Sequence, residues 1–561
     1  MTNDNPLASL DLLRQAPFNL DDDAIAWVSD TANGLEGDAR LMQLFVIGMH
    51  GPVGAWNEEI ARLRPGGVMR FFSADGAAEA GLLDRLQDEA EIPLLVSADL
   101  EGSRMSLAFG TTVPNPLALA AVNDAAVTAG ISRIMAEEAR AIGVNWSYTP
   151  VLDINAAFRS AIVATRGYGA EIDRIQTHAL TQASAFQQAG VAACVKHWPG
   201  EGYDDRDQHL LTTVNPLAMD EWEARFGRLY RAAIAEGVLS VMSAHIALPS
   251  FVRAGNADAG VDAFRPASLS KALTTDLLRG RLGFNGLIVS DASEMAGVTS
   301  FMDVAQAKVE MLRAGCDMIL FSQDVPRDLG AIKSALADGS LVQSRVDDAL
   351  LRVLGLKAAL GLHQAKREPA DERLARLRSP QAEASARAFQ QAPTLVKDVQ
   401  SLFPISPQRH RRVLLITGGI ISPIHGAPMP FALPELMRKR GFVVDVHVVG
   451  TPIPAGEYDL VLYALGEETL LTRGRIFLDW LGLMGNFRLA MRRTWHEMPT
   501  AMVSFGYPYY LYDAPRMPAY VNAYCTSDEM QEAVLDCMMG VRAFAGQSPV
   551  DAFCGLEDAR Y

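Results

Sequence analysis

Cysteine is scarce in this 561-residue sequence: Cys194, Cys316, Cys525, Cys537 and Cys554 are widely scattered, odd in number and form no CxxC pair. That excludes a disulfide framework or a zinc cluster and points to reduced thiols in a cytoplasmic protein. Positive charge is also short, with 50 basic against 66 acidic residues, a formal net of -16 and a pI near 5.2. Nucleic acid is therefore a poor partner. No uninterrupted apolar stretch approaches the ~18 to 20 residues of a membrane helix, and the mean hydropathy is only +0.08. A soluble protein without membrane association is expected. The amino-terminal MTNDNPLASLDLLRQAPFNLDDD has no basic segment, apolar core and small-residue cleavage site, so no secretory signal is visible. GxSxG, HExxH and GxxxxGK[ST] are missing, which removes the usual serine hydrolase, zinc protease and P-loop readings. ITGG at 416–419 follows a strand-like run, but GxGxxG is absent, so a dinucleotide site is not expected. Neither a metal nor a cofactor is called for.

Hydrophobic residues at 49% and charged residues at 21% are ordinary globular composition. At ~150 residues per domain the length allows about two to four domains. Over the first two thirds, short apolar runs alternate with longer segments of helical period, which predicts parallel strands joined by helices. Candidate strands are 44–48, 67–72, 93–99, 143–148, 191–197, 239–245, 286–291 and 316–321. Eight of them predict an α/β fold of the (β/α)8, TIM-like barrel type. Residues 125–142 place Val127, Ile131, Ile134, Met135 and Ile142 on one helical face, interrupted only by Glu138, as an outer-ring helix needs. From about 365 to 409 the chain turns charged and helical without strand-like runs. A second alternation follows, with strands at 412–417, 443–449, 459–465, 500–504 and 519–523 and helices at 433–439 and 528–539. The expected division is a catalytic barrel over 1–362, a helical linker over 363–409 and a smaller α/β domain over 410–561.

Polar and ionisable residues recur where strands end: Asp99, Lys196 with His197, His245, and Asp291. Barrel enzymes place catalytic groups at these ends, although a single such residue also serves as a cap or turn former. The segment 194–209, CVKHWPGEGYDDRDQH, reads as an active-site loop. Lys196 and His197 could donate hydrogen bonds to the hydroxyls of a neutral polar ligand, and Trp198 could offer a stacking face. The bland alternatives make Trp198 core and Lys196 a surface charge. Asp207 and His209 are two apart, close enough on a turn for the carboxylate to bind one imidazole nitrogen and leave the other to act as acid and then base. Asp291 ends the run GFNGLIVSD and reads either as a nucleophile or as the cap of a following helix. In retaining glycoside hydrolysis one carboxylate attacks the anomeric carbon while a second group protonates the leaving oxygen. Asp291 and the Asp207–His209 pair supply both roles, with His in place of the commoner carboxyl group. Ser268 and Lys271 form SxxK but lack companion motifs and read as a helix start.

At these motifs the sequence resembles glycoside hydrolase family 3, and within it the bacterial β-N-acetylglucosaminidase branch. The branch pattern KH(F/I)PGHG followed by D(S/T)H is matched by KHWPGEG at 196–202 and by Asp207, Gln208 and His209. SD with Met four residues later is matched by Ser290, Asp291 and Met295. DQEGGR appears as DLEGSR at 99–104, RSFG as RGYG at 166–169, and PVLDxN as PVLDIN at 150–155. The resemblance implies a barrel followed by an α/β sandwich, and an exo-acting retaining β-N-acetylhexosaminidase without metal or cofactor. It implies Asp291 as nucleophile, His209 as general acid/base and Asp207 as its orienting partner. Asp99, Arg166, Lys196, His197 and Met295 would bind the sugar, and Asp153 would support the scaffold.

Three departures touch sugar and aglycone preference: Glu201 stands where the branch has His, Gln208 replaces Ser or Thr, and Leu107 replaces a second Arg. Other readings stay open. An imidazole does not repel an incoming phosphate as a carboxylate would, so phosphorolysis is compatible with His209. A β-glucosidase would use Glu467 or Glu468 of the second domain as acid/base, and a carbohydrate-binding homologue would have lost turnover. The expected partner is a small glycan or glycoside, with homo-oligomerisation left open.

Overall fold

Eight apolar runs become parallel strands: β1 (Phe45–Met49), β2 (Gly67–Arg70), β3 (Leu95–Ala98), β4 (Trp146–Ser147), β5 (Ala192–Trp198), β6 (Ser240–Ser243), β7 (Leu287–Ala292) and β8 (Met318–Leu320). Each pairs with its neighbour in sequence, and β8 returns to β1 with Ile319 opposite Phe45, closing the barrel. The computed structural model describes residues 6–51, 57–364, 368–375, 381–422, 426–454 and 456–561. Every barrel strand overlaps one of the eight predicted segments. Helices cover one face and interior side chains the other, so these strands are continuous apolar runs rather than alternating ones. The interior is filled: the Trp146 indole donates to Ser240 Oγ at 2.8 Å, and Tyr148 meets the Trp146 ring nearly edge-on.

The helix Ala125–Ile142 shows how local sequence sets this architecture. Asp124 caps it by accepting from the Ala126 amide at 2.8 Å, and Gly143 ends it in the left-handed region at φ 103, a conformation glycine adopts without steric cost. Ile131, Ile134, Met135 and Ile142 are buried as their period predicts. Glu138 is buried among them and accepts from the Thr111 amide and hydroxyl. The break in the apolar face is thus a hydrogen-bonded anchor, whose burial raises its carboxyl pKa.

The second unit is a six-stranded sheet built from β9 (Thr394–Asp398), β10 (Arg412–Ile421), β11 (Val443–Val446), β12 (Leu460–Glu467), β13 (Thr500–Ser504) and β14 (Ala519–Asn522). Their order is β9-β14-β13-β12-β10-β11, parallel except for antiparallel β9. Strand β9 corrects the reading of 363–409 as a linker without strands: it is an edge of this sheet, preceded by helices Ala370–Ala375 and Gln381–Gln391. Within that stretch, 365–367 and 376–380 lie outside the described residues. A short pair, Thr213–Val214 with Ile246–Ala247, was also not foreseen.

The barrel unit contributes apolar side chains to the core of the second unit. Leu117, Ala118 and Ala121 of the helix Pro116–Val122, with Ala161 and Ala164 of the loop after β4, belong to the apolar cluster of the sheet domain rather than to that of the barrel. No helix among the described residues is long and apolar enough to cross a membrane.

Candidate active site

The carboxyl ends of β3 to β7 converge on one polar cluster. Lys196, near the end of β5, places Nζ 2.7 Å from Asp99 Oδ1 and 2.8 Å from Glu101 Oε1. Arg166, in the loop after β4, binds both Glu101 oxygens at 2.9 Å and donates to His197 Nε2 at 3.2 Å. The opposite ring nitrogen, Nδ1, lies 2.6 Å from Asp153 Oδ2, so the imidazole donates there and accepts from Arg166. Asp153 Oδ1 takes the amides of His197 and Glu201 at 3.1 and 2.9 Å. Burial opposes charge in this cluster, yet Arg166 and Lys196 hold the Glu101 carboxyl far below the usual carboxylate range. Against the same burial, Asp99 and Glu101 raise the Lys196 pKa. The result is a set of fixed, mutually neutralising charges around Asp99, whose side chain is 25% exposed, a lining suited to a neutral polyhydroxylated ligand.

Lys196 is buried, which overturns its reading as a surface charge. Trp198 goes the other way. It is fully buried and meets Tyr230 and Trp222 edge-on at 4.8 and 5.6 Å between ring centres, so it is core and offers no stacking face.

Asp291 lies in β7 and is 8% exposed. Its Oδ1 accepts from the Ala292 amide at 2.7 Å. Burial would raise its pKa, but the imidazoles of His245, His197 and His209 and that amide bring it below the ordinary aspartate value. Burial lowers the His245 pKa against the pull of Asp291. It donates from Nε2 to the Ala292 carbonyl at 2.9 Å and accepts at Nδ1 from the Ser268 hydroxyl at 2.9 Å. The SxxK serine is thereby engaged, and Lys271 pairs with Asp276 at the surface. Half-buried Met295 donates its amide to the Ala292 carbonyl and leads into the helix Ala296–Thr299.

The turn predicted at Asp207 and His209 is present. Asp207 Oδ1 accepts from the His209 amide at 2.8 Å and from its Nδ1 at 2.7 Å. Among the described residues Nε2 has no partner, and the His209 side chain is 22% exposed. Burial would raise the Asp207 pKa, but His209 and the Thr472 amide lower it. The loop is held from two sides: the His209 carbonyl accepts from the Ala296 amide at 3.1 Å, and a Cβ on Gly202 would lie 1.8 Å from the Ile154 carbonyl.

Two features of the site were missed. In the sequence Glu101 stands out only as part of the motif DLEGSR, although its spacing of two from Asp99 puts both carboxylates on one side of an extended chain. The departures Glu201 and Gln208 turn out to be partners, with Gln208 Nε2 donating to Glu201 Oε2 at 3.0 Å and its Oε1 accepting from the His245 amide at 3.1 Å. Asp153, His197 and Glu201 offer donor atoms within 4.8 Å of one another. Asp153 already accepts three N–H bonds, and burial with surrounding carboxylates raises the Glu201 pKa well above its usual value, so the group is a hydrogen-bond hub rather than a cation cage. Glu468 accepts from Ser103, Asn115 and Thr526, and Glu467 accepts from Tyr510 at 2.6 Å within its own domain.

Residues 38–356, more than half of the chain, match the family model described as the glycosyl hydrolase family 3 N terminal domain. The chain belongs to glycoside hydrolase family 3. A relative from Cellulomonas fimi, described as a beta-N-acetylglucosaminidase/beta-glucosidase, is 38% identical over 571 aligned residues, covering 97% of this chain and 99% of that protein. Among solved structures, a beta-glucoside phosphorylase BglX bound to 2FGlc shares 32% identity at a TM-score of 0.92, covering 97% of this chain and all of the other. The family 3 β-N-acetylglucosaminidase of Paenibacillus sp. str. FPU-7 shares the fold, with 24% identity, a TM-score of 0.79, and 93% and 100% coverage.

Proposed function

We propose that this family 3 glycosidase is an exo-acting retaining enzyme that removes terminal β-linked N-acetylglucosamine through a glycosyl-Asp291 intermediate. The observation that carries the reading is a buried aspartate near the end of β7, its Oδ1 held by the Ala292 amide and its pKa lowered by nearby imidazoles, together with an Asp207–His209 pair whose Nε2 has no partner among the described residues. Since Oδ1 of Asp291 takes the Ala292 amide, Oδ2 is the attacking oxygen. It bonds to the anomeric carbon as the bond to the leaving oxygen breaks, and His209 Nε2 delivers a proton to that oxygen. Water then attacks the same carbon, Nε2 takes its proton, and Asp291 leaves. Asp207 orients the ring and stabilises the imidazolium. Asp99, Arg166, Lys196 and His197 bind the hydroxyls of the terminal sugar, with Met295 beside them. The branch motifs favour the N-acetylglucosaminide, and the description of the Cellulomonas fimi relative, which names both activities, makes glucoside the competing sugar.

The test compares leaving groups. For His209→Ala, kcat/KM on an alkyl glycoside should fall by roughly a hundredfold or more, while an activated dinitrophenyl glycoside should be nearly unaffected, because its departure needs little protonation. A fluorosugar should label Asp291. Equal losses on both substrates, or a label elsewhere, would reject the assignment.

A second reading is phosphorolysis. It is supported by the likeness to a structure described as a β-glucoside phosphorylase and by an acid/base that is an imidazole, which does not repel an anionic acceptor. Sugar 1-phosphate formed in phosphate buffer would favour it, and free sugar alone would favour hydrolysis.

A further inference from the structure

Residues 468–472 of the second domain lie along the barrel loops that build the site, each by a different contact. Glu468 takes the Ser103 hydroxyl and the Asn115 amide group. Thr469 Oγ1 lies 3.3 Å from Thr165 Oγ1, and the Leu470 amide donates to the Ala161 carbonyl at 3.2 Å. Leu471 lines a small cavity with Glu101, Arg104, Asn115 and Arg166. Finally, the Thr472 amide donates to Asp207 Oδ2 at 2.9 Å. Thr472 makes this contact from the left-handed region, at φ 64, a conformation that β-branched residues rarely adopt. Its own hydroxyl is turned back to the Leu471 carbonyl at 2.7 Å.

The Asp207 side chain is fully buried, and its two oxygens face two domains. Oδ1 serves the amide and ring of His209, and Oδ2 is served by Thr472. Without the second donor, a buried carboxylate oxygen would be unpaired and the carboxylate free to rotate about Cβ–Cγ, taking the imidazole with it. We propose that the Thr472 amide is a positioning group for the acid/base, so that proton transfer to the leaving group depends on the docked second domain. Thr472 does not touch substrate; it acts through Asp207 and His209. The inference rests on the reading of His209 as acid/base.

The test deletes one N–H. In the full-length enzyme, Thr472 is replaced by its α-hydroxy analogue, which turns the amide into an ester and keeps the side chain. The ester form should lose roughly tenfold in kcat/KM on an alkyl glycoside and less than about twofold on a dinitrophenyl glycoside. The second substrate also reports that the site is folded. Thr472→Gly keeps the N–H and adopts φ 64 freely, so its ratio of kcat/KM between the alkyl and dinitrophenyl glycosides should stay that of wild type, unlike that of the ester form. The proposal is overturned if the ester form keeps full activity on the alkyl glycoside, or loses equally on both, while His209→Ala shows its leaving-group dependence. A His209→Ala enzyme without that dependence removes the acid/base reading and this positioning role with it.

Discussion

At the scale of single residues, the charge state of Glu201 is the property least visible in sequence. Asp207 and His209 were legible because two side chains two apart on a turn meet without help from the rest of the chain. The Glu201 carboxyl depends on neighbours that the fold supplies: it is buried, with Asp153, Asp207 and Asp291 raising its pKa and Arg166 opposing them. Its Oε1 has no hydrogen-bond partner among the described residues. A carboxyl whose folded pKa is raised causes no penalty below its unfolded pKa, where both states are protonated. Above it, the folded state binds the extra proton, and stability falls as pH rises toward the folded pKa. Glu201→Gln keeps the size and the neutral charge, so its melting temperature should equal that of wild type near pH 4 and exceed it increasingly toward pH 8. A parallel pair of melting curves across that range would refute the protonated carboxyl. The misreading of Trp198 has the same origin: Trp222 and Tyr230, which bury it, come from a helical segment beyond the loop.

At the scale of elements, the barrel strands were readable because burial on both faces leaves a continuous apolar signature, as in Ala192–Trp198. Strand β9 was not. Thr394–Asp398 is a five-residue edge strand with exposed Leu395, and its charged surroundings resemble a linker. Nor does a strand pattern reveal how tightly a loop is seated. Gly202, at φ 109, lies so close to the loop after β4 that a Cβ would overlap the Ile154 carbonyl at 1.8 Å. That obstacle is backbone and cannot rotate away. Gly202→Ala should therefore displace the loop that carries Asp207 and His209 while leaving β7 in place. We expect roughly a hundredfold loss in kcat/KM on an alkyl glycoside, since misplacement by about 1 Å is enough, with Asp291 still labelled by an activated fluorosugar. Loss of labelling would place the damage in β7 instead.

At the scale of the whole molecule, the division into two domains describes topology better than it describes stability. The sequence pattern separates a barrel rhythm from a second one, but the contacts that join them link residues hundreds of positions apart and leave no local trace. Leu117, Ala118, Ala121, Ala161 and Ala164 bury themselves in the second core, Tyr507 donates to the Phe158 carbonyl at 2.5 Å, and Arg159 reaches the Tyr512 hydroxyl. Glu468 stands at the centre of this joint, accepting from Ser103 and Asn115 on the barrel side and from Thr526 on its own. Glu468→Ala would remove the acceptor of the Ser103 hydroxyl, of the buried Thr526 amide and of one Asn115 N–H, whose Nδ2 keeps the Tyr524 carbonyl, at a cost of about 2–4 kcal/mol. Because barrel-side residues are buried in the second core, the loss should lower one cooperative transition instead of splitting it, and calorimetry should show a single peak at reduced temperature. Two separated peaks in wild type would show that the domains unfold independently. Below the transition, a Glu468→Ala enzyme should still be labelled at Asp291 by an activated fluorosugar, which separates this structural role from an acid/base role in catalysis.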